Sequence, residues 1–164
     1  KARQQQRFDH LFQSASAGCT YVFDQKAAKL ITRRIGRVED HDWNGMSHDW
    51  LCYVICRSHG LSWTIDSWSG IRYRQHGQNL FGAMPGVKGA LKRLSLMRDG
   101  WYRSVLLRNR PFIDPTNGAE QAVLDRMARL NVGDRLWLAA HARQFRREPK
   151  AQLALAGALV LGLV

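Results

Sequence analysis

Cysteine is scarce in this sequence, with three residues among 164. Small secreted proteins that depend on disulfide bonds carry a higher density of cysteine, usually in even number. Cys52 and Cys56 are spaced to share one helix face, where packing as small apolar side chains is a better fit than a four-ligand zinc site. The sequence therefore argues against a disulfide framework and predicts a reducing, cytoplasmic compartment.

Several catalytic motifs are also missing. The glycines on either side of Lys88 match neither the Walker phosphate loop nor the dinucleotide-binding fingerprint. Ser69 lacks the preceding glycine that a nucleophile elbow requires. Pairing Cys52 or Cys56 with a distant histidine would give a Cys–His hydrolase, but no spacing selects such a pair. No motif in the sequence therefore names a reaction.

Acidic residues are almost absent between Ser67 and Ile113. This stretch of 47 residues has nine basic side chains and one acid, Asp99, so it holds +8 of the total formal charge of +12. Such a concentration of positive charge predicts a partner of negative charge. The nine basic residues are Arg72, Arg74, Lys88, Lys92, Arg93, Arg98, Arg103, Arg108 and Arg110.

Aromatic residues alternate with basic residues in the same stretch, as in Arg72-Tyr73-Arg74. Arginine and lysine bind phosphates, while exposed aromatic rings stack on unpaired bases. The leading hypothesis is a non-enzymatic domain that binds a polyanion, above all nucleic acid, through an Arg-rich face.

One alternative is the cytosolic part of a membrane-complex subunit of the secretion or DNA-transfer type. Its basic face would then meet anionic lipid at the inner face of a membrane, or an acidic protein partner.

A cluster of acids and histidines follows the helix that is predicted over 25–35. Four acids and two histidines lie within the eleven positions 39–49, and the tripeptide His-Asp-Trp occurs twice. Carboxylates and imidazoles could hold a divalent metal as a cofactor, and a metal-dependent phosphodiester hydrolase is the other alternative function. The spacing matches no known metal motif, and a salt-bridge patch with neighbouring arginines explains the same residues. The candidate ligands are Asp40, His41, Asp42 and His48.

Helical periodicity dominates the rest of the chain. Asp24 and Ser47 are placed to cap helices over 25–35 and 48–58, and Asn117 with Glu120 resembles a capping box for a helix ending near Leu130. Further helices are predicted over 87–97 and 135–148, while 61–74 and 101–110 favour one small sheet or, for 101–110, a helix. The sequence predicts a mainly α fold, with α+β as the alternative.

The apolar C-terminal segment is too short to cross a bilayer. Residues 151–164 are apolar apart from Gln152, but fourteen residues span only about 21 Å as a helix, against a hydrocarbon core of ~30 Å. The segment is either a core helix or the start of a longer membrane segment.

We predict a basic globular domain over 1–150 and an apolar helix over 151–164. A first residue of Lys, with no signal-peptide pattern, predicts a processed chain or part of a larger protein or assembly.

Overall fold

The computed structural model describes residues 3–39, 42–43, 46–68 and 99–164. These residues form eight α-helices and two 3-10 turns, Gly18–Thr20 and Arg110–Phe112, and they contain no β-strand. The mainly α prediction is confirmed. In chain order the helices are α1 (Asp9–Phe12), α2 (Gln25–Ile35), α3 (His48–Ser58), α4 (Trp101–Arg108), α5 (Gly118–Arg129), α6 (Val132–Ala140), α7 (Ala142–Phe145) and α8 (Pro149–Val160).

Helices α2 and α3 begin and end where the sequence predicts. The Asp24 carboxylate caps α2 by accepting a hydrogen bond from the Ala27 amide at 2.7 Å. Gly60, with φ of +72°, ends α3. Its amide and that of Leu61 bond back to the carbonyls of Arg57 and Cys56, the pattern of a Schellman motif. Local sequence signals are therefore sufficient to set these two helices.

The segment 101–110 is helical, so its interpretation as a strand is wrong. Gly100 turns the chain with φ of +71°, and α4 then buries Val105 and Leu106 in the main core. A helix satisfies its own backbone hydrogen bonds, whereas a strand needs a neighbouring strand. Residues 61–68 form no strand either. Residues 69–74 and the predicted helix over 87–97 lie outside the described residues.

Helix α6 starts earlier than predicted and is shorter. Asn131 caps it, because its side-chain oxygen accepts a hydrogen bond from the Asp134 amide at 2.8 Å. Gly133 therefore lies inside the first turn of α6. The predicted continuous helix over 135–148 is interrupted at His141, whose backbone leaves the helical region with φ of −97° and ψ of 7°. Helix α7 follows as a separate short element.

Two apolar clusters lie on different sides of α3. Trp50 and Val54 face a large cluster that is completed by residues from α1, α4, α5, α6, α7 and α8. Leu51 and Ile55 face a smaller cluster that includes Ala27 and Ile31 of α2. Residues i and i+4 lie on the same face of a helix, so the two pairs point to different sides. Helix α3 is consequently the central element that links the two clusters.

The apolar C-terminal helix packs as a core helix. It begins with Pro149 in its first turn and buries Leu155, Ala158 and Leu159, and Leu155 and Leu159 belong to the main core cluster. Within the residues that the structure describes, no helix has both the length and the apolar character needed to cross a bilayer. The proposed domain boundary at residue 150 stays a prediction.

Candidate functional site

The His48–Asp49 pair lies at the start of α3, at the C-terminal end of the cluster of acids and histidines over 39–49. The Asp49 carboxylate is 22% exposed and the His48 side chain 84% exposed, with His48 Nε2 lying 3.2 Å from Asp49 Oδ1. Ser47 does not cap the helix; its hydroxyl instead donates to Asp49 Oδ1 at 2.9 Å. A carboxylate in the first turn is stabilised by the positive end of the helix dipole. Asp49 is therefore held in place and still reachable from solvent.

The 3-10 turn Gly18–Thr20 forms one wall of this site. A Cβ atom at Gly18 would clash with the imidazole of His48 and would lie 3.2 Å from Asp49 Oδ1. The turn therefore lies so close to the start of α3 that a larger residue at position 18 would require the His48 ring to move. Asp49 also acts electrostatically on its other neighbours. The pKa of Tyr21 is raised, chiefly by burial, and Asp49 adds to the increase.

The thiols on α3 are suited to packing rather than to chemistry. Burial raises the pKa of Cys56 to about 11, and burial with the nearby Asp49 charge also raises the pKa of Cys52. A thiol is a nucleophile or metal ligand only as thiolate, so both are poor candidates for either role at neutral pH. Residues of the described ranges form no group of three or more His, Cys, Asp or Glu that could hold a metal.

The predicted metal cluster is brought together only in part. Asp42 Oδ2 lies 2.6 Å from Arg108 Nη2, with the Asp42 side chain half exposed. This contact agrees with the interpretation of the cluster as a salt-bridge patch. Asp40 and His41 lie outside the described residues.

The Arg-rich face can be followed at three of its nine positions. Arg103 donates to the backbone oxygens of Met127, at 2.9 Å, and Ala128, near the end of α5. Arg108 pairs with Asp42 and Arg110 pairs with Asp125. These three guanidinium groups therefore have partners within the protein. The other six, Arg72, Arg74, Lys88, Lys92, Arg93 and Arg98, lie outside the described residues.

Sequence reasoning missed a buried polar network that joins α1, α3 and α5. His10 Nε2 lies 2.8 Å from Glu120 Oε1, and the Ser58 hydroxyl donates to Glu120 Oε2 at 2.5 Å. All three residues are at least 95% buried. The one signal in the sequence, Glu120 three residues after Asn117, indicated a helix start and gave no hint of burial. Because Ser58 and His10 both contact Glu120 and are shielded from solvent, the network stabilises the fold rather than forming a nucleophilic triad.

A second buried group surrounds Asp9, which has no exposed surface. The Tyr53 hydroxyl donates to its two carboxylate oxygens at 3.0 and 3.1 Å. Arg147 Nε lies 3.3 Å from Oδ2 and Arg57 Nη1 lies 3.7 Å from Oδ1. Two cations and a hydroxyl thus compensate one buried carboxylate, and they tie α1 to α3 and to the chain just before α8.

Comparison with known proteins yields one informative similarity. The chain is 37% identical over 103 residues to a protein of Shigella flexneri named dTDP-rhamnosyl transferase RfbG. The similar region covers 63% of this chain but 36% of that protein, so the chain spans about a third of its relative's length. No protein-family model matches the chain, and no solved structure matches it.

This similarity overturns the functional hypothesis drawn from charge. A relative named as a glycosyl-transferring enzyme conflicts with a non-enzymatic, nucleic-acid-binding domain. It points away from the two alternatives as well, since its name concerns neither a membrane complex nor phosphodiester hydrolysis. The error has a physical origin: excess positive charge attracts any phosphate and does not distinguish a nucleic acid from a nucleotide sugar. The similarity to a named rhamnosyl transferase is the finding that bears most directly on function.

Proposed function

We propose that this chain is part of a glycosyltransferase that moves a sugar, of the rhamnose type, from a dTDP-linked donor to an acceptor hydroxyl. The observation that carries the proposal is the 37% identity over 103 residues with a dTDP-rhamnosyl transferase. The partly exposed Asp49 carboxylate at the start of α3 supports it, because the transfer needs a base.

The reaction exchanges one bond at the anomeric carbon of the sugar. The acceptor oxygen forms a bond to that carbon while the bond from the carbon to the diphosphate oxygen breaks, and dTDP leaves with the electron pair. The acceptor hydroxyl must lose its proton during this step. A carboxylate within hydrogen-bond reach can take that proton and accelerate the step by about 10²- to 10⁴-fold.

Asp49 is the described carboxylate best suited to this role. Five of the eleven other described acids pair with arginines: Asp9, Asp42, Asp125, Asp134 and Glu148. Among the described residues no arginine or lysine forms an ion pair with Asp49, whose partners are Ser47 and His48. Its partial exposure leaves the Asp49 carboxylate accessible to an acceptor.

The charge and cysteine content of the chain fit this proposal. A net charge of +12 favours an anionic ligand such as the diphosphate of dTDP. Three free cysteines agree with a reducing compartment. A cytoplasmic location is therefore included in the proposal.

The test is transfer of labelled rhamnose from dTDP-rhamnose into the glycan fraction of the source cells, catalysed by the full-length protein. We expect Asp49→Asn to lower kcat by about 10²- to 10⁴-fold with little change in KM for the donor, because the variant binds but cannot accept the proton. Asp42→Asn is the matched control, since it neutralises an acid of the same segment that pairs with Arg108.

Two results would contradict the proposal at different levels. Wild-type protein that transfers no label from dTDP-rhamnose would overturn the function. Transfer that continues at the wild-type rate in Asp49→Asn would leave the function standing and remove Asp49 as the base.

A further inference from the structure

An open groove of about 620 Å³ runs between α2 and the end of α3. Three cationic side chains of α2, Lys26, Lys29 and Arg33, line one side of it. His59, which follows the last residue of α3, lines it as well. We refer to this cavity as the α2 groove.

The three cations lie on a single face of α2. Residues three, four and seven positions apart are neighbours along a helix surface, so Lys26, Lys29 and Arg33 form a row about 10 Å long. All three are exposed. Like charges at such spacing repel one another, which destabilises the helix slightly unless a counter-charge is present.

No side chain of the protein supplies that counter-charge within the described ranges. Lys26, Lys29 and Arg33 form no ion pair or hydrogen bond through their side chains there. Of the 13 acidic residues, Asp40 alone falls outside those ranges. Elsewhere arginines are paired with acids, as Arg110 is with Asp125. The row on α2 is therefore a concentration of uncompensated positive charge.

His59 adds a ring nitrogen that has no hydrogen-bond partner among the described residues. Its Nδ1 atom donates to the Ile55 carbonyl at 2.9 Å, which leaves Nε2 as the free nitrogen. Nε2 is shielded from solvent and has no hydrogen-bond partner among the described residues. A buried polar atom without a partner is costly, and a bound ligand would supply the missing contact.

The charges around His59 favour protonation only when an anion is present. Burial lowers the pKa of His59, and the Arg34 charge lowers it further, while the Ile55 carbonyl, Asp114 and Glu120 act in the opposite direction. A negative ligand in the groove would stabilise the imidazolium, whose Nε2 could then donate to it.

We propose that the α2 groove is a binding site for a phosphate or diphosphate group, held by Lys29 and Arg33 with Lys26 and by Nε2 of His59. The ligand is a free nucleotide diphosphate or the phosphate headgroup of a lipid, which present the same anionic oxygens. The inference does not depend on the proposed glycosyl transfer, because it concerns binding at residues other than Asp49.

The test uses inorganic pyrophosphate as the probe and calorimetric titration as the measurement. We expect Lys29→Gln/Arg33→Gln to weaken pyrophosphate binding about tenfold or more, because two charge-assisted contacts are lost. The control is Arg143→Gln/Lys150→Gln, which removes the same two residue types from exposed positions and should change affinity by less than about twofold.

A second measurement follows His59 directly by nitrogen NMR of its ring. Pyrophosphate should shift the Nε2 signal toward that of a protonated imidazole, and His59→Asn, which keeps a donor for Ile55, should bind more weakly. Equal weakening in both double variants, or an unshifted Nε2 signal at saturating pyrophosphate, would overturn the site.

Two further titrations identify the source of the phosphate. Binding of dTDP that depends on Lys29 and Arg33 assigns the groove to a nucleotide. Binding of phosphatidylglycerol vesicles with the same dependence, together with weak dTDP binding, assigns it to a lipid headgroup. The proposal would be rejected if pyrophosphate, dTDP and vesicles each bound the groove variant and its control with the same affinity. That conclusion would hold whatever the outcome of the rhamnose assay.

Discussion

The imidazole of His10 and the carboxylate of Glu120 meet in the protein interior, with 2.8 Å between Nε2 and Oε1, although 110 positions separate them in sequence. Ser58 completes the contact from α3 and also accepts a hydrogen bond from the Asp114 amide at 2.7 Å. This interaction ties the N-terminal helix to α5 through groups that water does not reach.

Replacing Glu120 should therefore destabilise the whole fold. Glu120→Ala would leave His10 and Ser58 buried without their partner, and we expect a loss of about 3–5 kcal/mol in the free energy of unfolding. Urea denaturation measures this change in the free energy of unfolding. Glu148→Ala, which removes an exposed pairing with Arg3, should cost less than about 1 kcal/mol. Similar losses of stability in the two variants would show that the buried contact contributes no more than the exposed pair.

Tyr53 should make the protein sensitive to alkali. Burial, with the nearby Asp9 charge, raises the pKa of Tyr53 above its ordinary value of 10.0. The folded state therefore holds the phenolic proton more tightly than the unfolded state does. The stability from this group is fully present below pH 10 and is lost as pH rises through the raised pKa.

The check is the free energy of unfolding measured from pH 8 to the alkaline limit of the assay. Tyr53→Phe should be less stable than wild type at neutral pH by about 1–3 kcal/mol, because Asp9 loses a hydrogen-bond donor. The variant should also lose part of the decline above pH 10. Parallel curves for the two proteins would contradict this assignment.

Gly18 should be required for activity more than for stability. In Gly18→Ala the new methyl group would push the exposed His48 ring away and crowd Asp49 Oδ1. We expect reduced rhamnose transfer with a change of less than about 1 kcal/mol in stability, since an exposed ring can move at little cost. Gly118→Ala is the matched control because its Cβ would meet no atom within 4 Å. Full activity in Gly18→Ala would show that this wall tolerates a side chain.

The three thiols should differ in reactivity. Cys19 is exposed, whereas Cys56 is buried with a pKa raised to about 11 and Cys52 also has a raised pKa. Iodoacetamide at pH 8 should label Cys19 first, because alkylation requires an accessible thiolate. Mass spectrometry of the folded protein should show one rapid modification that Cys19→Ser abolishes. Rapid labelling of Cys56 would contradict the packing seen on α3.

Helices set by local signals were predictable, and contacts between distant segments were not. Asp24 and the apolar spacing of α2 lie within a dozen residues, so periodicity and capping chemistry define the helix. Ser47 has the same pattern, yet its hydroxyl bonds to Asp49 instead of the backbone, a choice that depends on side-chain rotamers. Burial of Glu120 depends on His10 and Ser58, which no local pattern connects to it.

The candidate site shows the same division. The sequence singled out the acids and histidines over 39–49 and named His48 as a candidate ligand, but Asp49 was not among the candidates. The approach of Gly18 to His48 and Asp49 is a contact between α3 and a turn some thirty residues earlier. That contact, and the absence of an arginine or lysine partner for Asp49 within the described structure, became visible only once the chain was folded.

Helix α3 is anchored by apolar packing on both sides, through Trp50 and Val54 on one and Leu51 and Ile55 on the other. Its backbone amides should therefore exchange with solvent deuterium only through opening of a core, and more slowly than those of α2, which buries two residues. Asp49 near its start and His59 just beyond its end are thus kept at a fixed separation. A ligand that contacted both positions would have to match that separation.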